Sequence, residues 1–229
     1  MDGDSLRERL SRARLMLVLT PGVCVGRDPL AVVASVLPHV DAVQVRPKPT
    51  GAANEDGGNA PGPARSTFEL ALGVLELCAG LAEAPLVIAN DRVDVALALA
   101  ERGLAGVHLG ADDLPPGEAR QLLGPAPLIG LSTHCAADVV RAGDLPVDYL
   151  GFGPLFSTTT KGYERGVGPE AAWVAASAAA VPLFSIGGIT RERATQLHPN
   201  ARIAVASAVL AAEDPAAAAI ELRALLEGE

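Results

Sequence analysis

Lysine is nearly missing from this chain. Of 18 basic residues 16 are arginine, which leaves Lys48 and Lys161 as the lysines of 229 residues. Aromatic residues are also scarce, at 3%, yet hydrophobic residues reach 49%, and that excludes a disordered chain. Cysteine gives no framework: Cys24, Cys78 and Cys135 lie far apart and form no CxxC pair. A disulfide scaffold and a zinc ribbon are thereby excluded, and a reducing compartment is expected. Positive charge is in deficit, with 27 acidic against 18 basic residues and a net charge of −9. A broad nucleic-acid surface does not fit that balance, so any bound anion must be held by a local site. The segment from Met1 to Arg14 is charged and lacks the apolar run of a secretory signal. The most apolar stretch, Ala171 to Ile186, is broken by Ser177 and Pro182, and reads as a helix followed by a buried strand. The expectation is a cytoplasmic protein with small-molecule partners, no nucleic acid and no membrane.

What the chain does have is a recurring pattern. Short runs rich in Val, Ile and Leu end in Gly, Pro, Asp or Thr at Leu15–Thr20, Asp41–Arg46, Leu86–Asn90, Ala105–Leu109, Leu128–Ser132, Val147–Gly151, Leu183–Gly187 and Ile203–Ala206. Runs of this length and composition read as strands buried on both faces. Helix-length stretches lie between them, among them Pro29–Leu37, Thr67–Leu81, Val93–Ala100, Pro116–Leu123, Pro169–Ala179 and Arg191–Leu197. Asp214-Pro215 reads as an N-cap and first-turn pair opening a last helix to Leu226. Eight such units predict an α/β fold, a single (β/α)8 TIM-barrel domain over residues 1–229. A doubly wound open sheet, the rival, would usually need fewer strands. Outside the repeat stand a short charged N-terminal segment (1–14) and a Gly/Pro/Asn-rich loop (47–66) after strand 2. That loop reads as a surface insertion or as a flap over the catalytic end.

Polar residues gather where the strands end, which is where barrels carry their sites. Gln44, Arg46 and Lys48 are spaced by two, so an extended strand places them on one face. A buried inward face does not ordinarily hold an amide and two cations. Lys161 follows strand 6, and with Arg46 and Lys48 it makes a three-cation pocket suited to a phosphate or diphosphate. Asn90 and Asp91 end strand 3, and Asp112-Asp113 follow strand 4. Carboxylates that meet phosphate oxygens and water suit Mg²⁺. Either Asp112 or Asp113 can instead cap the helix that opens near Pro115. Gly187-Gly188 after strand 7 and Ser207 after strand 8 occupy the usual phosphate-binding loops of such barrels. Ser132 and His134 alternate on strand 5 without necessarily touching, and no G-x-S-x-G elbow is present. His108 reads equally as a satisfied interior histidine and as a site residue.

Six segments together resemble the thiamine-phosphate synthase family. They are Gln44-Val45-Arg46-Pro47-Lys48, Ala89-Asn90-Asp91-Arg92-Val93-Asp94, Gly106-Val107-His108-Leu109-Gly110, Gly130-Leu131-Ser132-Thr133-His134, the run from Gly153 to Lys161, and Ile186-Gly187-Gly188-Ile189. The resemblance implies a transferase that joins hydroxymethylpyrimidine diphosphate to thiazole phosphate with loss of diphosphate. It further implies that Gln44, Arg46, Lys48, Asn90, Ser132 and Lys161 face the diphosphate, with Arg46, Lys48 and Lys161 as the catalytic cations. Thr158 and Thr160 would contact the thiazole, Gly188 and Ser207 would cradle its phosphate, and Asp91 and Asp113 would bind Mg²⁺. The chain departs from the family pattern at Pro47, where glutamate is usual, at Ala111, and at Thr20-Pro21. The alternatives are a thiazole tautomerase-like relative and a non-catalytic phosphate-binding barrel.

Overall fold

The computed structural model describes residues 3–47, 62–157 and 166–228. Lys48, Thr158, Thr160 and Lys161 lie outside the described residues, as does most of the 47–66 segment. Eight parallel strands form a closed barrel: β1 (Leu15–Leu19), β2 (Ala42–Val45), β3 (Leu86–Asn90), β4 (Gly106–Leu109), β5 (Leu128–Thr133), β6 (Tyr149–Phe152), β7 (Leu183–Ile186) and β8 (Arg202–Val205). Closure comes from β1 pairing with β8, where Leu15, Met16 and Leu17 stand opposite Ile203, Ala204 and Val205. An open sheet would lack that pairing. The helices, in chain order, are α1 (Gly3–Arg12), α2 (Pro29–Val36), α3 (Pro63–Cys78), α4 (Val93–Leu99), α5 (Pro116–Leu123), α6 (Ala136–Ala142), α7 (Pro169–Ala178), α8 (Arg191–Ala194), α9 (Ser207–Leu210) and α10 (Pro215–Glu227).

Alternation along each strand sorts its side chains into two cores. In β1, Leu15, Leu17 and Leu19 face the helical layer, whereas Met16 and Val18 face the barrel axis, and all five are buried. This two-sided burial explains why the strands read as unbroken apolar runs.

The lower end of the barrel is closed by α1. Its Leu6 and Leu10, one turn apart, join Met16, Leu86, Leu128, Tyr149 and Phe184 in the axial cluster. The charged segment expected at 1–14 therefore hides an amphipathic plug. Asp148 fastens it, accepting from Arg7 Nε at 2.7 Å, Arg120 Nη2 at 2.6 Å and the Ile129 N–H at 2.8 Å.

Several boundaries differ from the sequence expectation. Helix α3 begins at Pro63 rather than Thr67, because proline in the first turn needs no N–H partner, and the loop after β2 is shorter by those residues. Helix α8 stops at Ala194 instead of reaching Leu197. Helices α1, α6 and α9 are additional. Asp214 caps α10 as expected, accepting the Ala217 N–H at 3.0 Å. Among the described residues, no helix is long and apolar enough to cross a membrane.

Candidate active site at the carboxyl end of the barrel

Strand β2 sends Ala42 and Gln44 toward the axis, and the same alternation carries Arg46 to the upper mouth. The strand pairing does not stop before Arg46, since its N–H still donates to the Leu19 carbonyl at 2.8 Å. Gln44 and Arg46 line one cavity together with Asn90, His108, Ser132, Gly188 and Ser207. Seven residues from six strands or their ends thus converge although they are scattered from residue 44 to residue 207.

Below the mouth lies a buried polar chain. Gln44 hydrogen-bonds the Tyr149 hydroxyl, that hydroxyl lies 3.0 Å from His108 Nδ1, and His108 Nε2 lies 2.9 Å from Ser132 Oγ. Burial drives the Tyr149 phenol well above its ordinary value, while the Gln44 amide pulls the other way. The His108 ring is thus held between the Tyr149 hydroxyl and the Ser132 hydroxyl. Ser132 lines the cavity, so this polar chain ends at the ligand space.

Glycines make room for this chain. A Cβ on Gly130 would lie 2.1 Å from Tyr149 Cζ, and one on Gly151 would lie 3.2 Å from His108 Cε1. The pairing of Ser132 is therefore with His108 on the neighbouring strand. His134 also lines the cavity but bonds elsewhere, with Nδ1 2.6 Å from the Gly153 carbonyl. Tyr149 was missed by the sequence reading, which carries no sign of the space that Gly130 on the neighbouring strand leaves for its ring. His198 belongs to the exterior, where it stacks on Trp173 with centroids 4.0 Å apart.

The carboxylates sit on the same rim. Asp91 follows β3 with φ +61, and its N–H donates to the His108 carbonyl at 2.8 Å. Aspartate tolerates the left-handed region better than most residues, and such local strain is typical of functional positions. Asp113 does not cap α5, and neither does Asp112. The N-cap is Pro115 without a side-chain capping bond, and Asp113 Oδ2 accepts the Gly110 N–H at 2.7 Å. Among the described residues, no group of three or more His, Cys, Asp or Glu is placed to hold a metal ion. Asp91 and Asp113 offer hard oxygen donors, which fits an ion such as Mg²⁺ that completes its shell from substrate and water.

Beyond β7 the chain turns through Gly187 (φ +101) and Gly188 (φ +64). A Cβ on Gly187 would meet Pro154 Cβ at 2.5 Å, and one on Gly188 would meet the Ser157 carbonyl at 2.5 Å. Only glycine satisfies both the backbone angle and the space. Ser207 opens α9 directly after β8 and completes this side of the cavity.

A closed parallel barrel whose strand ends gather an amide, a guanidinium, carboxylates and a glycine turn defines a TIM-barrel protein of the enzyme type. Comparison with known proteins narrows the class. The family model described as thiamine monophosphate synthase matches residues 15–209, and the chain belongs to that family. It is 41% identical over 226 residues to the thiamine-phosphate synthase of Albidiferax ferrireducens, covering 96% of this chain and 94% of that protein. It is 39% identical over 224 residues to the thiamine-phosphate synthase of a Synechococcus strain, covering 96% of this chain but 59% of that one. The chain thus spans about three fifths of the length of some curated relatives that it matches. Among solved structures, thiamine phosphate pyrophosphorylase from Pyrococcus furiosus superposes with a TM-score of 0.78 at 30% identity, covering 97% and 98% of the two chains.

Proposed function

We propose that this chain is a thiamine-phosphate synthase, which condenses hydroxymethylpyrimidine diphosphate with thiazole phosphate to give thiamine phosphate and diphosphate. The observation that carries the reading is the convergence of Gln44, Arg46, Asn90, His108 and Ser132 on a cavity that the Gly187-Gly188 turn also lines. One side offers cationic and hydroxyl groups for a diphosphate, and the other offers a turn for a phosphomonoester.

In the reaction, the bond between the pyrimidine's methylene carbon and the bridging diphosphate oxygen breaks, and its electron pair leaves with diphosphate. The thiazole nitrogen supplies the lone pair for the new C–N bond. The ring's amino group donates electrons to the methylene carbon as the leaving group departs, so the protein needs no nucleophile. Its task is to neutralise charge on the leaving group and hold two substrates in line.

Arg46 supplies a fixed charge at the mouth, and the hydroxyl of Ser132 donates to a diphosphate oxygen. Lys48 and Lys161 are assigned to the same anion, and Thr158 and Thr160 to the thiazole. The amide of Gln44 bonds the Tyr149 hydroxyl, which holds the His108 ring beside Ser132. Asp91 and Asp113 would hold Mg²⁺, with Asn90 beside them. When bound, that ion supplies further charge neutralisation to the departing diphosphate. Gly188 and Ser207 are assigned to the phosphate of the thiazole substrate.

Titration of diphosphate into the chain tests the anion site without turnover. Arg46→Ala should weaken binding by about tenfold or more, since a charge-assisted contact contributes a few kcal/mol. Equal affinity for diphosphate in Arg46→Ala and wild type would contradict the assignment.

A further inference from the structure

Arg193 takes no part in the chemistry above, yet its guanidinium joins two pieces of the site. Its Nη1 donates to the Gly188 carbonyl at 2.8 Å, and its Cζ lies 5.1 Å from the centroid of the Phe156 ring. Phe156 belongs to the segment that follows β6, and that segment is laced to the β7 turn. The Leu155 N–H donates to the Ile186 carbonyl at 2.9 Å, and the Phe156 N–H to the Gly187 carbonyl at 3.0 Å. Arg193 is steadied in turn by Thr190, whose Oγ1 accepts its backbone N–H at 3.3 Å.

A trans peptide points its carbonyl and its N–H in opposite directions. The anchored Gly187 carbonyl therefore aims the Gly188 N–H, and the anchored Gly188 carbonyl aims the Ile189 N–H, away from Phe156 and Arg193. Gly188 and Ile189 both line the cavity, and neither N–H finds an acceptor among the described residues. Two glycines in succession leave these peptides easy to rotate, since φ > 0 costs glycine nothing. A rotated Gly188–Ile189 peptide would show an anion its carbonyl oxygen instead of its N–H.

We propose that Arg193 is a positioning residue for the phosphomonoester subsite. It holds the Gly188 carbonyl outside the cavity and packs Phe156 against the turn, so that the Gly188 and Ile189 N–H groups stay directed at the phosphate of the thiazole substrate. The inference rests on the transferase reading above, and it adds the element that keeps the glycine turn in its binding form. Both features of arginine are used at once, the fork for the carbonyl and the flat face for the ring. Lysine would keep the charge without the planar stacking, and glutamine would keep a donor without the charge.

The test compares steady-state kinetics of Arg193→Gln, Arg193→Lys and Phe156→Leu with wild type, alongside calorimetric titration of inorganic phosphate. The expected result is a KM for thiazole phosphate raised about tenfold in Arg193→Gln, with kcat and the KM for the pyrimidine diphosphate changed less than about threefold. Arg193→Lys should fall between wild type and Arg193→Gln, Phe156→Leu should show the same selective rise, and phosphate affinity should drop in parallel. An unchanged KM for thiazole phosphate in folded Arg193→Gln would overturn the proposal. So would a loss spread equally over both KM values and kcat, which is the signature of general damage. Should Arg193→Gln not fold, Phe156→Leu decides by the same criterion. If wild type makes no product but binds phosphate and Arg193→Gln does not, the transferase reading fails while the role of Arg193 stands.

Discussion

Ser132 Oγ lies 2.9 Å from His108 Nε2, and the other nitrogen of that ring lies 3.0 Å from the Tyr149 hydroxyl. The serine is therefore oriented by a histidine on the adjacent strand. Tyr149→Phe should remove the hydroxyl 3.0 Å from His108 Nδ1 at a cost of about 1–3 kcal/mol. Denaturant unfolding should show that loss, and turnover should fall with it because the His108 ring beside Ser132 is no longer held in place. Wild-type stability and turnover in Tyr149→Phe would show that the chain of hydrogen bonds does not matter.

Space beside Tyr149 is as necessary as its hydroxyl. A Cβ at position 130 would stand 2.1 Å from Tyr149 Cζ, so the ring would have to shift. Gly130→Ala should therefore destabilise by about 1–3 kcal/mol and displace the tyrosine ring. Thermal melting and the phenol's ultraviolet absorbance would register both effects. Identical melting would mean that the ring moves aside freely.

The opposite end of the barrel offers a control. Asp148 joins Arg7 of α1 to Arg120 of α5, with its carboxylate 8% exposed. Asp148→Ala should cost about 3 kcal/mol, because two guanidinium groups lose their shared partner. Activity per folded molecule should not change, since the site lies at the other mouth. A shifted KM would show that the plug helix reaches the site.

The eight strands were legible because strands buried on both sides are written as apolar runs, whatever their neighbours. The helices were less so. Leu6 and Leu10 of α1 are masked by arginines and acids on its other faces, so charge hid the plug. Helix α6 opens at Cys135, whose backbone N–H is bound by Asp138 rather than by a familiar capping residue before it. Gln44 and Arg46 could be placed by period-two spacing alone. Tyr149 could not, because only the fold shows that Gly130 on the next strand vacates its space. Sequence left open whether Asp112 or Asp113 caps α5, and in the structure neither does, with Asp113 closing the Gly110 turn instead.

Helix α6 carries a pH dependence that can be read from its first turn. Hydrogen bonds from the His134 and Cys135 N–H groups, at 2.9 Å and 3.1 Å, hold the Asp138 carboxyl below its usual value. A carboxyl lowered on folding contributes stability above its unfolded value of about 3.9, and loses it as pH falls through the folded value. Asp138→Ala should thus be less stable than wild type at neutral pH. The gap should close in acid, below about pH 4. A difference that is constant from pH 7 to pH 3 would mean that the ionised cap contributes nothing.

The most direct test of the transferase is a condensation assay with the purified chain, hydroxymethylpyrimidine diphosphate, thiazole phosphate and Mg²⁺. It predicts thiamine phosphate and diphosphate in equal amounts, with formation stopped by EDTA and restored by added Mg²⁺. Folded protein that binds both substrates and yields neither product would contradict it.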